Sequence, residues 1–357
     1  MVFFVVLSIL IIVHELGHFL VAKRNGILVE EFGFGLPPRI WGKKIGETLW
    51  SINLLPFGGF VKLHGELGED GITNKNRAFL YKSKRTKIAV IIAGVIMNFL
   101  LGIVAFAIVY SFSGIPRETG EVKILDISSS SPAQEAKLIV GDIIKKVDKE
   151  DVKNVSEFVL LVENKKGKKV TLELQDRKVT ITPRSNPPEG EGPLGVTISS
   201  SEIYFPPVWQ RPFYGIYYGF KEAVFWGKNV IVGFSNIFID LFKGQTPKDI
   251  SGPVGVFAIT TQAAKLGLLS LINLLGIISV NLAILNILPF PALDGGRLLF
   301  IFIEKLIGKK IIPKVEAIIH SIGMIILLLL ILAITINDIK GLIRAGSISG
   351  FLDNMTK

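Results

Sequence analysis

The stretch Val2-Phe3-Phe4-Val5-Val6-Leu7-Ser8-Ile9-Leu10-Ile11-Ile12-Val13-His14-Glu15-Leu16-Gly17-His18 decides the fold class. From Val2 to Val13, Ser8 is the only polar residue. The pattern H-E-x-x-H then places two histidines at i and i+4 on one helix face, where they can share a zinc ion. The glutamate between them can act as general base on a metal-activated water. Ionisable residues at membrane depth are costly, so their presence there is by default a functional signal. The alternative is a short apolar helix whose polar end meets the headgroups.

Composition sets the frame. The chain has 357 residues, 49% of them apolar and 20% charged, with mean hydropathy +0.51. It is too hydrophobic for an ordinary soluble protein and too charged to lie wholly in a membrane, so a polytopic protein with a soluble insert is expected. The net charge of +10 reads first as cytoplasmic loop charge. No basic stripe interleaved with aromatics is present, so nucleic acid is not expected as a partner. The chain has no cysteine, which excludes disulfides and thiolate ligands; zinc would need His, Asp or Glu. The N-terminus lacks a basic lead and a small-residue cleavage site, and is read as a retained first span.

Four spans are expected, near 1–22, 88–112, 268–288 and 317–336, each close to the roughly 20 apolar residues that cross a bilayer. Twelve Lys and Arg residues lie between Lys23 and Lys87, and a second basic loop carries Arg297, Lys305, Lys309, Lys310 and Lys314. The excess puts both loops in the cytoplasm, and both termini and residues 113–267 outside. The stretch 213–242 is aromatic but carries Lys221, Glu222, Lys228 and Asp240. It is expected as an interfacial or partly re-entrant element, because a fifth span would separate Asp294 from the histidines.

Between the first two spans, Phe32–Gly35, Trp50–Pro56 and Gly58–Lys62 alternate apolar with small or polar residues, which predicts short hairpins. A strand edge there could pair with an extended substrate, or the loop could simply plug the bundle. In the insert, Glu121–Ile127 reads as a strand. Ser131-Pro132 opens a helix, Gly141-Asp142-Ile143-Ile144 opens a strand, and Val170–Leu174 with Lys178–Thr182 forms a hairpin. A second chemical motif follows the third span: Asn286-Ile287-Leu288-Pro289-Phe290-Pro291-Ala292-Leu293-Asp294-Gly295-Gly296. Its prolines break the helix, and Asp294 can approach the metal as an oxygen ligand. Glu30 and Glu31 are rival carboxylates, closer to His18 than expected for soluble zincins. His320 is read as hydrogen-bonded packing and His64 as a surface histidine.

Ser131–Ala133, Ala136–Leu138, Gly141–Ile144 and Val147 together resemble a PDZ domain of the bacterial envelope type. The whole ensemble resembles the site-2 protease family of intramembrane zinc metalloproteases, closest to the bacterial branch that cleaves membrane-bound anti-sigma factors. That resemblance implies Zn²⁺ as cofactor, held by His14, His18 and Asp294, with Glu15 as general base. It implies substrate contacts at Asn281 and Asn286, which hold an unwound substrate backbone; Pro289 and Gly59 are added as expected contacts. Ala93–Asn98 resembles the family's second-span motif, with Val95 where proline is common. Ser251–Gly255 also matches a family segment.

The expected architecture is a polytopic α-helical membrane protein with a membrane-associated hairpin and one extracytoplasmic PDZ (α+β) domain. Its divisions are a membrane core at 1–112 with the hairpin loop at about 25–65, a PDZ domain at 115–200, an interfacial linker at 201–267, a second membrane core at 268–340 and a tail at 341–357. The expected location is the bacterial cytoplasmic (inner) membrane, with the active site toward the cytoplasm. Expected partners are the lipid bilayer and single-span substrates resembling anti-sigma factors, with signal-peptide remnants as a further substrate class; the PDZ domain would contact substrate or a partner peptide. The rival functions are a zinc-binding membrane scaffold or PDZ adaptor without proteolysis, and an ion transporter. Both leave Glu15 unexplained, and transport predicts internal repeats that are not apparent.

Overall fold

A computed structural model describes residues 2–66, 71–188, 190–243, 252–309 and 311–355. In chain order the elements are α1 (Val2–Arg24), β1 (Val29–Ile45), β2 (Thr48–Leu63), α2 (Lys84–Ser113), β3 (Ile115–Ile127), α3 (Pro132–Glu135), β4 (Ile143–Val147), β5 (Glu150–Asp151) and α4 (Val155–Glu163). They continue with β6 (Val170–Leu174), β7 (Lys178–Ile181), β8 (Val196–Tyr204), α5 (Arg211–Phe242), α6 (Pro253–Leu266), α7 (Leu268–Ile287), α8 (Asp294–Ile307), α9 (Pro313–Ala345) and α10 (Ile348–Met355). Two compact units result: residues 1–112 with 211–357, and residues 113–210.

In the first unit, α1, α2, α7 and α9 are long and apolar enough to cross a membrane among the described residues. They fit a polytopic membrane protein. Small residues let these helices approach closely, as is usual where lipid removes the hydrophobic drive for helix association. Gly17 of α1 lies on the backbone of Ala93 in α2, where an added Cβ would meet Met97 Cγ at 2.8 Å. Gly102 of α2 faces Val280 and the Gly276 carbonyl of α7. Ser279 Oγ donates to the Asn98 carbonyl at 2.7 Å, a buried bond between α7 and α2.

The stretch that sequence left ambiguous is one helix of 32 residues, α5. It is not among the four apolar helices. Gly215 and Gly219 seat it against Ala107 of α2, and Gly227 faces Val280 and Ile284 of α7. Glu222 is satisfied within this packing, accepting from Tyr110 Oη at 2.8 Å and Trp226 Nε1 at 3.0 Å. Ser251 lies outside the described residues; of its segment, Gly252 caps α6, and Gly255 N–H donates to Asp338 Oδ2 in α9 at 2.9 Å.

The loop after α1 folds back on itself: Arg39–Ile45 pairs antiparallel with Thr48–Asn53 as a short hairpin, and Glu31–Phe34 lies between Gly59–Lys62 on one side and Leu49–Ile52 on the other. Gly33 accordingly pairs with both Phe60 and Ser51, and Phe34 with both Gly59 and Ile52. Rings of Phe32 and Trp50 pack edge-on against Phe19 of α1 at 5.5 and 5.4 Å, which fixes the hairpin to the helix that carries the histidines. His64, expected on the surface, is 2% exposed. Its Nδ1–H donates to Glu30 at 2.7 Å while Nε2 accepts the Thr73 and Asn74 amides. The network ties the end of β2 to the following loop.

The second unit is a six-stranded sheet in the order β7-β6-β4-β3-β8, with β5 paired to β4. Alternating residues Val122, Ile124, Ile144, Val147, Val170, Leu172 and Leu174 form its core, closed by Phe158 and Val162 of α4. Ser131 Oγ caps α3 by accepting the Gln134 amide. Asp142 of the G-D-x-I stretch accepts the Ile139 amide at 2.9 Å and Arg177 at 2.6 Å. The sequence reading passed over α4, whose signal is Asn154 with Glu157 three residues on. It also passed over β8, which pairs with β3 from Ile115–Tyr204 to Ile127–Val196.

Candidate metal centre

The HELGH turn sits where α1 crosses α2. Its two imidazoles point at one spot, and α2 is shaped to receive them. A Cβ on Gly94 would lie 2.5 Å from His18 Nε2 and 2.7 Å from His14 Cε1, so only glycine leaves room. His18 Nδ1 donates to the Val90 carbonyl at 2.8 Å, which leaves a lone pair on Nε2. His14 Nδ1 lies 3.4 Å from the side-chain amide of Asn98. Asn98 is itself buried, with an unpartnered Oδ1. With the amide turned over, Oδ1 would accept from His14 Nδ1–H and leave its Nε2 lone pair free as well.

Asp294 arrives from the other end of the chain. The helix α7 stops at Ile287, and the prolines turn the chain through a tight corner. Phe290 N–H bonds the Leu288 carbonyl at 2.7 Å, Leu293 N–H bonds the Phe290 carbonyl at 3.2 Å, and Ala292 takes φ +80°. Asp294 then opens α8. The two glycines after it are steric necessities. A Cβ on Gly295 would strike the carbonyls of Ile287 and Leu288, and one on Gly296 would lie 2.5 Å from the Phe290 carbonyl oxygen.

The result is a triangle. Asp294 Oδ2 lies 3.0 Å from His14 Nε2 and 3.3 Å from His18 Nε2, and the two Nε2 atoms are 3.1 Å apart. A tetrahedral zinc centre with bonds of ~2.0–2.1 Å has ligand–ligand edges of about 3.3–3.4 Å. The observed edges fit one face of such a tetrahedron. Asp294 Oδ2 is buried without a hydrogen bond, and lone pairs this close repel unless a cation lies among them. The donor set of two imidazoles and a carboxylate suits zinc.

Cavities open on the triangle. One of about 260 Å³ is lined by Leu10, Ile11, His14, Glu15, Asn98 and Asn286, among others. Another of about 220 Å³ is lined by Glu15, His18, Phe60, Glu66 and Arg297 with both other members of the triangle. Glu15 faces both. Gly59 of the hairpin sits above it, where a Cβ would lie 3.7 Å from Glu15 Cγ. Asn281 Oδ1 is buried and unpartnered. Pro289 is exposed just after α7 and is not among the residues lining the two cavities. The rival ligands are engaged elsewhere: Glu30 with His64 and Lys62, Glu31 with Arg39. Sequence reasoning missed Gly94, the Val90 carbonyl and the Arg297–Glu66 ion pair at the cavity wall. Only Gly94 has a sequence signal, a glycine inside an apolar helix.

The model for peptidase family M50 matches residues 2–330. A protein of Clostridium perfringens is 36% identical over 93% of this chain and 96% of its own length. A protein named zinc metalloprotease RasP from Geobacillus kaustophilus is 30% identical, covering 95% of this chain and 97% of its own. A regulator of sigma-W protease, RasP, from Bacillus subtilis is 30% identical over 95% of this chain and 98% of its own. The chain belongs to peptidase family M50, the site-2 protease family.

Proposed function

We propose that this chain is an intramembrane zinc endopeptidase in which His14, His18 and Asp294 hold the metal and Glu15 is the general base. The observation that carries the assignment is the convergence of three ligand atoms within 3.0–3.3 Å beside a glutamate that faces both cavities. The family match and the relatives' names support a zinc metalloprotease. Zinc supplies Lewis acidity toward the scissile carbonyl and its attacking water. Glu15 takes the water's proton and passes it to the leaving amine. Asn281 and Asn286 hold the substrate backbone as an extended strand, supported by the unpartnered Asn281 Oδ1 and by Asn286 at the cavity wall. Gly59, close above Glu15, lies beside the path of that strand.

The substrates are single-span membrane proteins of the anti-sigma-factor kind, a reading supported by the sigma-W name of the Bacillus subtilis relative. The enzyme works in the bacterial cytoplasmic membrane with its site toward the cytoplasm, a reading supported by the basic loops. Residues 115–200 act as an extracytoplasmic PDZ domain that limits access or reads a substrate end, supported by the sheet and the Asp142–Arg177 pairing behind the G-D-x-I stretch. The test is cleavage of a single-span substrate in detergent by the parent and by Glu15→Gln. Cleavage within the span by the parent alone is expected. Turnover by both would refute the role of Glu15.

A further inference from the structure

We propose that His320 is a positioning residue for Asp294, accepting the Ala292 amide and so fixing the corner from which Asp294 reaches the two imidazoles. The inference rests on the ligand assignment above. Ala292 is one of the described non-glycine residues with positive φ, at +80°, a conformation that L residues avoid. Something outside the corner must hold it there. Phe290 and Leu293 donate their amides within the corner itself. Ala292 N–H instead reaches across to α9 and donates to His320 Nδ1 at 3.0 Å.

The same face of α9 grips the preceding residue. A Cβ on Gly323, one turn beyond His320, would lie 2.8 Å from the carbonyl carbon and oxygen of Pro291. Both peptide units of the corner are therefore seated on α9. Phe300 of α8 packs on the imidazole at 5.5 Å between ring centroids. To accept at Nδ1, the ring carries its proton on Nε2. That atom is buried and makes no hydrogen bond to protein, while the residue lines a cavity of about 470 Å³ shared with Arg297, Glu304 and Glu316. The nearest carboxylate, Glu316 Oε1, is 3.9 Å away. His320 thus spends its acceptor on the corner and touches none of the ligands.

An outer partner of this kind is worth about 10- to 100-fold in metal affinity. The test measures zinc affinity by chelator competition on the full-length protein in detergent, for His320→Leu, His320→Asn and His320→Gln beside Asp294→Asn. Asn offers an oxygen near the place of Nδ1, whereas Gln reaches toward Nε2 and Leu offers bulk alone. Loss of about 10- to 100-fold in Leu and Gln, with Asn close to the parent, is expected. Parent-like affinity in Leu and Gln, or equal loss in all three variants, overturns the proposal. If the Leu variant fails to fold, the contrast of Asn with Gln decides alone. Zinc held as tightly by Asp294→Asn as by the parent would overturn the ligand assignment, and this proposal with it. Zinc lost in Asp294→Asn but unchanged in His320→Leu and Gln overturns only the proposal.

Discussion

The α-carbon of Gly94 lies beneath the imidazole of His18, so close that a single methyl group there would come within 2.5 Å of Nε2. This makes Gly94→Ala an informative substitution. Alanine is the better helix former by about 0.5–1 kcal/mol, so α2 itself tolerates it. The imidazoles do not. We expect zinc content to fall at least 10-fold, consistent with disturbed ligand geometry, while helical content measured by circular dichroism stays unchanged. Full zinc loading of Gly94→Ala would show that the rings have room the structure does not give them.

Glu15 should separate binding from chemistry. Glu15→Gln keeps the shape of the side chain and removes the base, so turnover is expected to drop by 10²-fold or more, in line with the usual worth of a general base. Its zinc content should match the parent. His14→Ala, His18→Ala and Asp294→Asn should each lose the metal. A Glu15→Gln protein depleted of zinc would instead place Glu15 among the ligands.

Asn281 illustrates a conflict between stability and function. Its Oδ1 is buried without a partner, a defect that costs about 1–3 kcal/mol. Asn281→Leu is expected to raise the thermal unfolding temperature while slowing cleavage of a single-span substrate and leaving zinc content alone. Equal cleavage rates would remove Asn281 from substrate binding.

Asp142 has a purely structural assignment. It accepts a backbone amide and pairs with Arg177 from a buried position. Asp142→Ala should cost about 1–3 kcal/mol in unfolding of residues 113–210, followed by denaturant titration, with no change in zinc content. Stability equal to the parent would mean that Arg177 and the Ile139 amide find other partners.

The hairpin turn carries a pH-dependent tie. Hydrogen bonds from Arg77 and Lys23 hold the Glu47 carboxyl down to about 2, against an ordinary 4.5. A depressed carboxyl stabilises the fold above its unfolded value and stops doing so as pH falls through the folded one. The contribution is therefore full above about 4.5 and vanishes near 2. All three groups are exposed, so salt should weaken it. Glu47→Gln should speed amide exchange in residues 29–63 relative to the parent at pH 7 and low salt, and the difference should disappear near pH 2. A difference that persists at pH 2 would mean the carboxylate's charge is not what holds the turn.

Much of this protein was legible in one dimension. The HELGH turn announced itself because two histidines and a glutamate interrupt an apolar helix, where every polar group needs a reason. The four spans follow from length and hydropathy. The period-2 alternation in Val170–Leu174 and the capping signals at Ser131 located elements of the insert. Less legible were features whose partner is backbone. The Val90 carbonyl that orients His18, and the Ala292 amide that engages His320, have no side-chain identity to read. The order of the segments after α1 was not legible, because period-2 alternation marks a strand but not its neighbours, and the burial of His64 was not legible because a histidine at a strand end carries no sign of it.

The sequence by itself determined that His14 and His18 share one helix face with Glu15 beside them, since residue type fixes the side-chain chemistry and helical spacing fixes the face. It also determined that the chain must turn before Asp294, because proline cannot continue a helix. Only the tertiary structure decided that the turn delivers Asp294 to those histidines within 3.3 Å. Periodicity defines which face of a helix is apolar, but not which neighbour that face meets or at what height. That choice was made by packing: by glycines that let α1 and α2 touch, and by α9 holding the corner at Pro291 and Ala292.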